Sequence, residues 1–183
     1  MTQVIGLIGR IASGKTVVAD FLVKEKGAVY YRFSDVLKDV LVRLHMPNTR
    51  ENLQNLGLAL RGAFGDGVLA HALKEDLKRR DSKLIVVDGI RYQDEFDMVK
   101  ALGGKIVYVT APQKARYERA KRRATRGEAH LSFEEFVKSE NKETERLIDV
   151  LGKEADVKIE NTGTIDELKK QAERLILDSA EGP

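Results

Sequence analysis

The stretch Gly9-Arg-Ile-Ala-Ser-Gly14-Lys15-Thr16 follows directly on the apolar run Val4–Ile8, and it constrains this chain more than any other feature. The spacing G-x-x-x-x-G-K-[ST] belongs where a strand ends and a helix begins. Glycine lets the backbone curl so that successive N–H groups face one oxyanion, and the helix start adds about half a positive charge at the same point. Lys15 holds the position that reaches β- and γ-phosphates, and Thr16 the position whose hydroxyl ligates Mg²⁺. Gly9, Arg10, Ile11, Ala12, Ser13, Gly14, Lys15 and Thr16 are therefore read as a phosphate cradle, with Mg²⁺ as its companion. Arg10 and Ala12 make this loop poor in glycine, and nothing in the sequence explains the arginine.

Around the loop the apolar periodicity alternates. Val4–Ile8 reads as a buried strand and Lys15–Lys26 as a helix stopped by Gly27. Ala28–Phe33 is a second strand, followed by a helical stripe of Val36, Leu37, Val40, Leu41 and Leu44 that Pro47 breaks. Thr49 caps a helix carrying Leu53, Leu56, Leu60 and Phe64, and Gly65-Asp-Gly67 turns into a helix over Val68–Arg80. Leu84–Val87 is a strand covered on both faces, ended by Asp88-Gly89. Gln93–Leu102 is helical and Lys105–Thr110 is a fourth strand. Pro112 opens a long basic helix, and Asp156–Glu160 is a fifth strand. Capping boxes at Ser132–Glu135 and Thr164–Glu167 open further helices, the last to about Asp178. Five strands separated by helices predict one α/β domain, a parallel sheet sandwiched between two helical layers. Right-handed crossovers gather the strands' C-terminal ends on one edge, where a ligand binds.

Composition narrows the chemistry. The 183 residues are enough for one domain, and 42% apolar with 33% charged residues is a globular balance. With no Cys, disulfides and thiolate metal sites are excluded, and His45, His71 and His130 form no metal-ligand spacing. The formal charge of +3 is too small to demand nucleic acid as a partner. No apolar run is long enough for a membrane span and no leader pattern surrounds Val4–Ile8, so the chain reads as soluble and cytoplasmic, a monomer or homodimer.

Other residues fit phosphoryl transfer, which rests on positioning and on neutralising charge. Asp88 ends a buried strand, where an acid can hold the Mg²⁺ shell or simply cap a turn with Gly89. Arg61 follows Gln54 on a largely apolar helix, and Arg91 lies just past the strand that ends in Asp88. Arg116, Arg119 and Arg123 share one helix face within the basic run Lys114–Arg126. Asp35 follows the second strand and is a general base, an acceptor ligand or an N-cap, the last in competition with Ser34. Asn161-Thr162-Gly163 is a turn into a capped helix or the floor of an adenine site. No Asn-Lys-x-Asp motif for reading guanine is present.

Over nearly its full length the chain resembles the P-loop nucleoside monophosphate kinase-like group. Phe33-Ser-Asp-Val-Leu-Lys38, Arg50–Gly57 and Asp88–Arg91 are similar to deoxynucleoside monophosphate kinases. Phe64-Gly-Asp-Gly-Val68, Val87–Arg91 and Arg116-Tyr-x-Arg119 resemble an archaeal adenylate-kinase-related family, and Ala155–Gly163 resembles dephospho-CoA kinases. The resemblance implies a sheet in the order 2-3-1-4-5, an acceptor-binding region over about 36–80 and a short helical lid over about 112–131. It implies ATP on Gly9–Thr16 and adenine along Asn161, Thr162 and Gly163. Arg61 and Arg91 would hold the acceptor, with Ser34, Asp35 and Gln54 nearby, and Arg119 and Arg123 would close over the transferring phosphate. The expected activity is ATP- and Mg²⁺-dependent phosphorylation of a nucleoside or deoxynucleoside monophosphate. Lys15, Arg91, Arg119, Arg123 and Asp35 form the catalytic set, and Thr16 and Asp88 form the metal set. Two rivals stand beside it. One is dephospho-CoA kinase-like transfer to a hydroxyl, against which Ser34-Asp35-Val36 departs from an Asp-x-Asp and no His-Pro occurs. The other is an ATP-binding protein that grips RNA through Lys114–Arg126, where Tyr117 is the lone aromatic for stacking.

Overall fold

The computed structural model describes residues 2–123, 132–140 and 143–177. The far part of the expected lid with Arg126 and His130, and Asp178, lie outside the described residues. The elements run β1 (Gln3–Ile8), α1 (Lys15–Lys26), β2 (Val29–Arg32), α2 (Phe33–Arg43), α3 (Arg50–Phe64), α4 (Val68–Lys78) and β3 (Leu84–Asp88). They continue with α5 (Gln93–Ala101), β4 (Lys105–Thr110), α6 (Gln113–Arg123), α7 (Phe133–Glu140), α8 (Glu143–Lys153), β5 (Val157–Glu160) and α9 (Ile165–Leu177). The strands form one parallel sheet in the order β2-β3-β1-β4-β5, as the resemblance implied.

Strand alternation sorts the core into two faces. Ile5, Leu7, Leu84, Val86, Val107 and Val109 pack with Val18, Phe21 and Leu22 of α1 and with Leu168, Ala172 and Leu175 of α9. Val4, Ile8, Ile85, Val87 and Ile106 pack with Phe33 of α2, Leu73 and Leu77 of α4, Phe96, Met98 and Val99 of α5, and Ile148 and Leu151 of α8. The result is a three-layer α/β/α sandwich. Gly6 sits on the second face, where a Cβ would come within 2.7 Å of Ile90 and 2.8 Å of Ile106. No described helix is long and apolar enough to cross a membrane.

Several boundaries differ from the sequence reading. Arg32, not Ser34 or Asp35, holds the N-cap position of α2, with φ −133° and ψ 146°. Asp35 stands one turn inside the helix and its carboxylate accepts the Arg32 N–H at 3.1 Å. That back-bond ends β2 at Arg32 and starts the helix at Phe33. Helix α4 ends at Lys78, short of Arg80. The chain beyond Ser132 carries two helices before β5, α7 and α8.

The basic helix also divides differently. Arg116 was expected on one charged face with Arg119 and Arg123, yet it is only 5% exposed. Its Nε donates to the Ala111 carbonyl at 3.0 Å and both terminal nitrogens donate to the Glu140 carboxylate. Tyr117 packs edge-on against Phe133, with ring centroids 5.3 Å apart. The first part of the expected lid is thus a packed junction of α6 and α7.

Breaking a buried pair from one side strands a charge, at a cost of about 3–5 kcal/mol. Arg116→Met is expected to lose that much stability in urea denaturation. Adding Glu140→Leu should recover part of it, because the stranded carboxylate goes as well. Equal stability of Arg116→Met and the parent protein contradicts this account of the junction.

Candidate functional site

The Gly9–Thr16 loop lies on the C-terminal edge of the sheet, between β1 and the start of α1. Gly9 has φ +154° and Gly14 has φ +112°, and a Cβ on either would collide, at Gly9 with the Val109 carbonyl and at Gly14 with Asn161 Nδ2. Ala12 takes the left-handed conformation at φ 56°, an uncommon one for a residue with a Cβ. The curl thus stands even where glycine is missing. Lys15 folds back to donate its Nζ to the Gly9 and Arg10 carbonyls. Thr16 is exposed at the start of α1.

Arg10 points out of the loop. Its guanidinium takes both oxygens of Asp149 on α8, the closer contact at 2.7 Å, and donates to the Glu140 carbonyl at 3.1 Å. Asp149 also accepts the Tyr108 hydroxyl at 2.9 Å. Burial pushes the Asp149 carboxyl up, and the Arg10 and Tyr108 hydrogen bonds more than offset this, holding it below its ordinary value. Arg10, Tyr108, Thr110, Gln113, Arg116, Glu140 and Asp149 line a polar cavity of about 350 Å³ beside the loop. Arg10 is thereby a strut between the loop and the helices after β4.

On the other side, Asn161 follows β5 and donates its Nδ2 to the Ser13 carbonyl at 2.8 Å. Arg119 donates to the Asn161 carbonyl at 3.0 Å and to its Oδ1 at 3.3 Å. The structure therefore brings Ser13, Asn161 and Arg119 together, with Arg123 one turn further along α6. Thr162 and Gly163 are exposed and line a separate cavity of about 370 Å³ against α9. Thr164 and Glu167 form the expected capping box.

Asp88 ends β3 in register with Leu7 of β1. Leu84 and Val86 face α1, so alternation sends Asp88 to the face of the helix that carries Lys15 and Thr16. It is 7% exposed. Its Oδ2 accepts the Tyr30 hydroxyl at 2.6 Å, while its Oδ1 is buried without a partner. Ser13 Oγ and one terminal nitrogen of Arg119 are buried and unpartnered too. Orphaned polar atoms of both signs around a curled run of N–H groups fit a polar, anionic ligand with its cation. Among the described residues no cluster of three His, Asp or Glu could cage a metal. Mg²⁺ beside phosphates needs only one or two protein groups, and Thr16 and Asp88 would serve.

The remaining candidates are those the resemblance assigned to an acceptor. Gln54 is exposed on α3 and Arg91 is exposed just past β3. Asp35 pairs with Lys38, and Ser34 is half-buried beside it. Arg61 was expected to meet an acceptor phosphate, but here it bridges α3 to α5. It reaches Glu95 at 2.9 Å and Asp94 at 3.3 Å, donates to the Asp66 carbonyl, and stacks on Tyr92 at 4.1 Å. Glu95 also accepts the Arg91 N–H at 2.8 Å. Burial pushes the Glu95 carboxyl up to about 7, against the opposing pull of the Arg91 N–H and the Arg61 charge. Sequence reasoning missed Tyr30, Arg32, Glu95 and Asp149. The only signal for the first two was their alternation on a strand rich in Val and Tyr.

A family model described as an AAA domain matches residues 5–148. The UPF0200 protein of Saccharolobus islandicus is 32% identical over 176 residues, covering 94% of this chain and 92% of its own length. The UPF0200 protein of Sulfurisphaera tokodaii is 29% identical over 177 residues, covering 96% of this chain and 97% of its own. Among solved structures, a shikimate kinase from Aquifex aeolicus superposes with TM-score 0.57 at 20% identity, covering 98% of this chain and 99% of the other. A gluconokinase from Sinorhizobium meliloti gives TM-score 0.61 at 18% identity, covering 98% and 94%. These structures share the P-loop kinase fold.

Glu95 makes stability depend on pH with a definite sign. Its pKa rises from an ordinary carboxylate value to about 7 on folding. Across that interval the native state keeps a proton that the unfolded chain has lost, so stability falls as pH rises and the cost is complete above it. Relative to Glu95→Gln, which cannot ionise, the parent protein should lose about 2–3 kcal/mol between pH 5 and pH 8. Chemical denaturation of both at the two pH values measures this. A pH-independent difference contradicts it.

Proposed function

Because this chain belongs to the AAA-domain family and to the UPF0200 proteins, we propose that it is an ATP- and Mg²⁺-dependent kinase whose acceptor is a nucleoside or deoxynucleoside monophosphate. The observation that carries the reading is the loop itself. A glycine-bent nest at the start of α1 shares its face of the sheet with the buried acid Asp88, whose Oδ1 has no partner. When bound, ATP with Mg²⁺ would supply the phosphoryl group to be transferred.

The residues divide the work. Backbone N–H groups of Gly9–Thr16 would bind the phosphate tail and Lys15 would turn from its carbonyl contacts to the β- and γ-phosphates. Thr16 and Asp88 would hold the cation. Asn161, Thr162 and Gly163 would border the base. Arg119 and Arg123 on α6, the described part of the lid, would neutralise charge on the transferring group. Arg91 would bring the acceptor up, in a loop fixed through its own N–H on Glu95. Arg61 would reach an acceptor only by leaving Asp94 and Glu95. Gln54 and Ser34 would touch the acceptor's sugar or base.

An acceptor phosphate with a second pKa near 6 is already an adequate nucleophile at neutral pH, so no general base is required. A hydroxyl acceptor would require one, and Asp35 is the carboxylate among the acceptor candidates. Its oxygens already accept from the Arg32 N–H and from Lys38, which favours the phosphate acceptor.

The test is an acceptor panel. ATP and Mg²⁺ with nucleoside monophosphates, dephospho-coenzyme A or short RNA are incubated with the protein, and ADP and phosphorylated product are both followed. A nucleoside diphosphate formed with stoichiometric ADP is expected. Lys15→Ala should lose ATP binding. Arg91→Ala should keep it and lose about 10²–10³-fold in transfer. Asp35→Asn should weaken acceptor binding without abolishing turnover. ADP without a phosphorylated acceptor, or product only from dephospho-coenzyme A, contradicts the proposal.

A further inference from the structure

Two side chains outside the phosphate loop close on Asp88. The parallel register sets Arg32 of β2 beside Asp88 of β3, and Tyr30 two residues earlier shares that strand face. The Tyr30 hydroxyl donates to Asp88 Oδ2 at 2.6 Å. Arg32 Nε donates to the Tyr30 oxygen and lies 3.6 Å from the same Oδ2. Because Arg32 fills a lone pair on that oxygen, the phenolic proton is committed to Asp88. One carboxylate oxygen therefore carries both contacts, while the other, Oδ1, is buried and has none.

A half-satisfied buried carboxylate is a costly arrangement for the fold alone. It gains a purpose if Oδ1 is kept for a ligand. The rest of the cluster has the right polarity. Tyr30 is a neutral donor that orients the carboxylate without cancelling its charge. Arg32 is a cation, one-third exposed, that does cancel part of it. The guanidinium also stacks on the Tyr30 ring, 4.9 Å from its centroid, so the two move as a unit.

We propose that Tyr30 and Arg32 are positioning residues for the cation that accompanies the nucleotide. Tyr30 locks the Asp88 carboxylate so that Oδ1 meets the cation's hydration shell, and Arg32 competes with the cation for the same negative charge and so limits its affinity. The proposal rests on the kinase reading above. It makes the two residues act in opposite directions on one measurable quantity. A purely structural role does not do that.

The experiment uses the full chain with Mn²⁺ as the probe. Mn²⁺ binding to the protein–ADP complex is followed by electron paramagnetic resonance, and ADP binding without metal is measured in EDTA. Groups that orient a metal's ligands change metal affinity by about 10–100-fold when removed. Tyr30→Phe, which keeps the ring and deletes the donor, is expected to weaken Mn²⁺ about tenfold on that scale. Arg32→Gln is expected to tighten it several-fold. Both should bind ADP in EDTA as the parent protein does. Asp88→Asn is the reference and should lose Mn²⁺ affinity. Wild-type Mn²⁺ affinity in both variants, or a loss in both matched by a loss of ADP binding in EDTA, overturns the positioning role and leaves the kinase reading standing. Undiminished affinity in Asp88→Asn removes Asp88 from the metal site and overturns the positioning role of both residues, while the acceptor panel alone decides the kinase reading. Should Tyr30→Phe fail to fold, Arg32→Gln decides alone, since unchanged or weaker Mn²⁺ binding there contradicts the competition.

Discussion

The structure depends on a backbone curl with no room beside it. At Gly9 a side chain would strike the carbonyl of Val109 on β4, and at Gly14 it would strike the amide of Asn161 behind β5. The loop is therefore pressed between its own strand, the neighbouring strand and the turn beyond the sheet edge. Within it the Ser13 N–H turns back on the Arg10 carbonyl at 3.3 Å. Lys15 Nζ donates to the Gly9 and Arg10 carbonyls, two oxygens of the same curl. An anion offers the N–H groups a stronger partner and the ammonium a place to go.

Three polar networks lie around this curl, and each reaches a different element of the fold. Arg10 runs through Asp149 and Glu140 to Arg116, joining the loop to the helices behind β4. Asn161 and Arg119 join it to the basic helix. Tyr30, Arg32 and Asp88 join the end of β3, beside β1, to β2, where α2 begins. A loop with fewer glycines has less freedom of its own, and the Arg10 strut replaces that freedom with an external constraint. On this view the arginine is a device for coupling, since its guanidinium reaches out of the loop to α7 and α8.

What the sequence made legible was local. Glycine spacing, the strand before it and the helix after it are all written within a few residues, so the loop was readable. The apolar run ended by Asp88 was readable for the same reason. Capping boxes at Ser132 and Thr164 stood where the residue pattern put them. The charged side chains were harder. Arg61, Arg116 and Arg10 each find their acids on other helices, and nothing near them in the chain says whether such a partner will arrive. Arg61 and Arg116 therefore looked like two more ligand-seeking cations, when one bridges α3 to α5 and the other holds α6 to α7. Tyr30 and Arg32 were hard to read because their meaning comes from strand register, which pairs β2 with β3 across three helices.

The distribution of satisfied and unsatisfied polar atoms bears on where the chemistry lies. The Arg61–Glu95 and Arg116–Glu140 pairs are buried and carry several hydrogen bonds each, the condition under which a buried ion pair is tolerable. Ser13, Asp88 and Arg119 each leave a buried atom without a partner, and all three are linked to the loop by strand register or by hydrogen bonds. Folding alone would favour removing such atoms, since each costs about 1–3 kcal/mol. Ser13 and Asp88 are as buried as Glu95, Arg116 and Glu140, so burial alone does not set the two groups apart. The missing partner is the feature on which the proposed site stands apart from the two paired junctions.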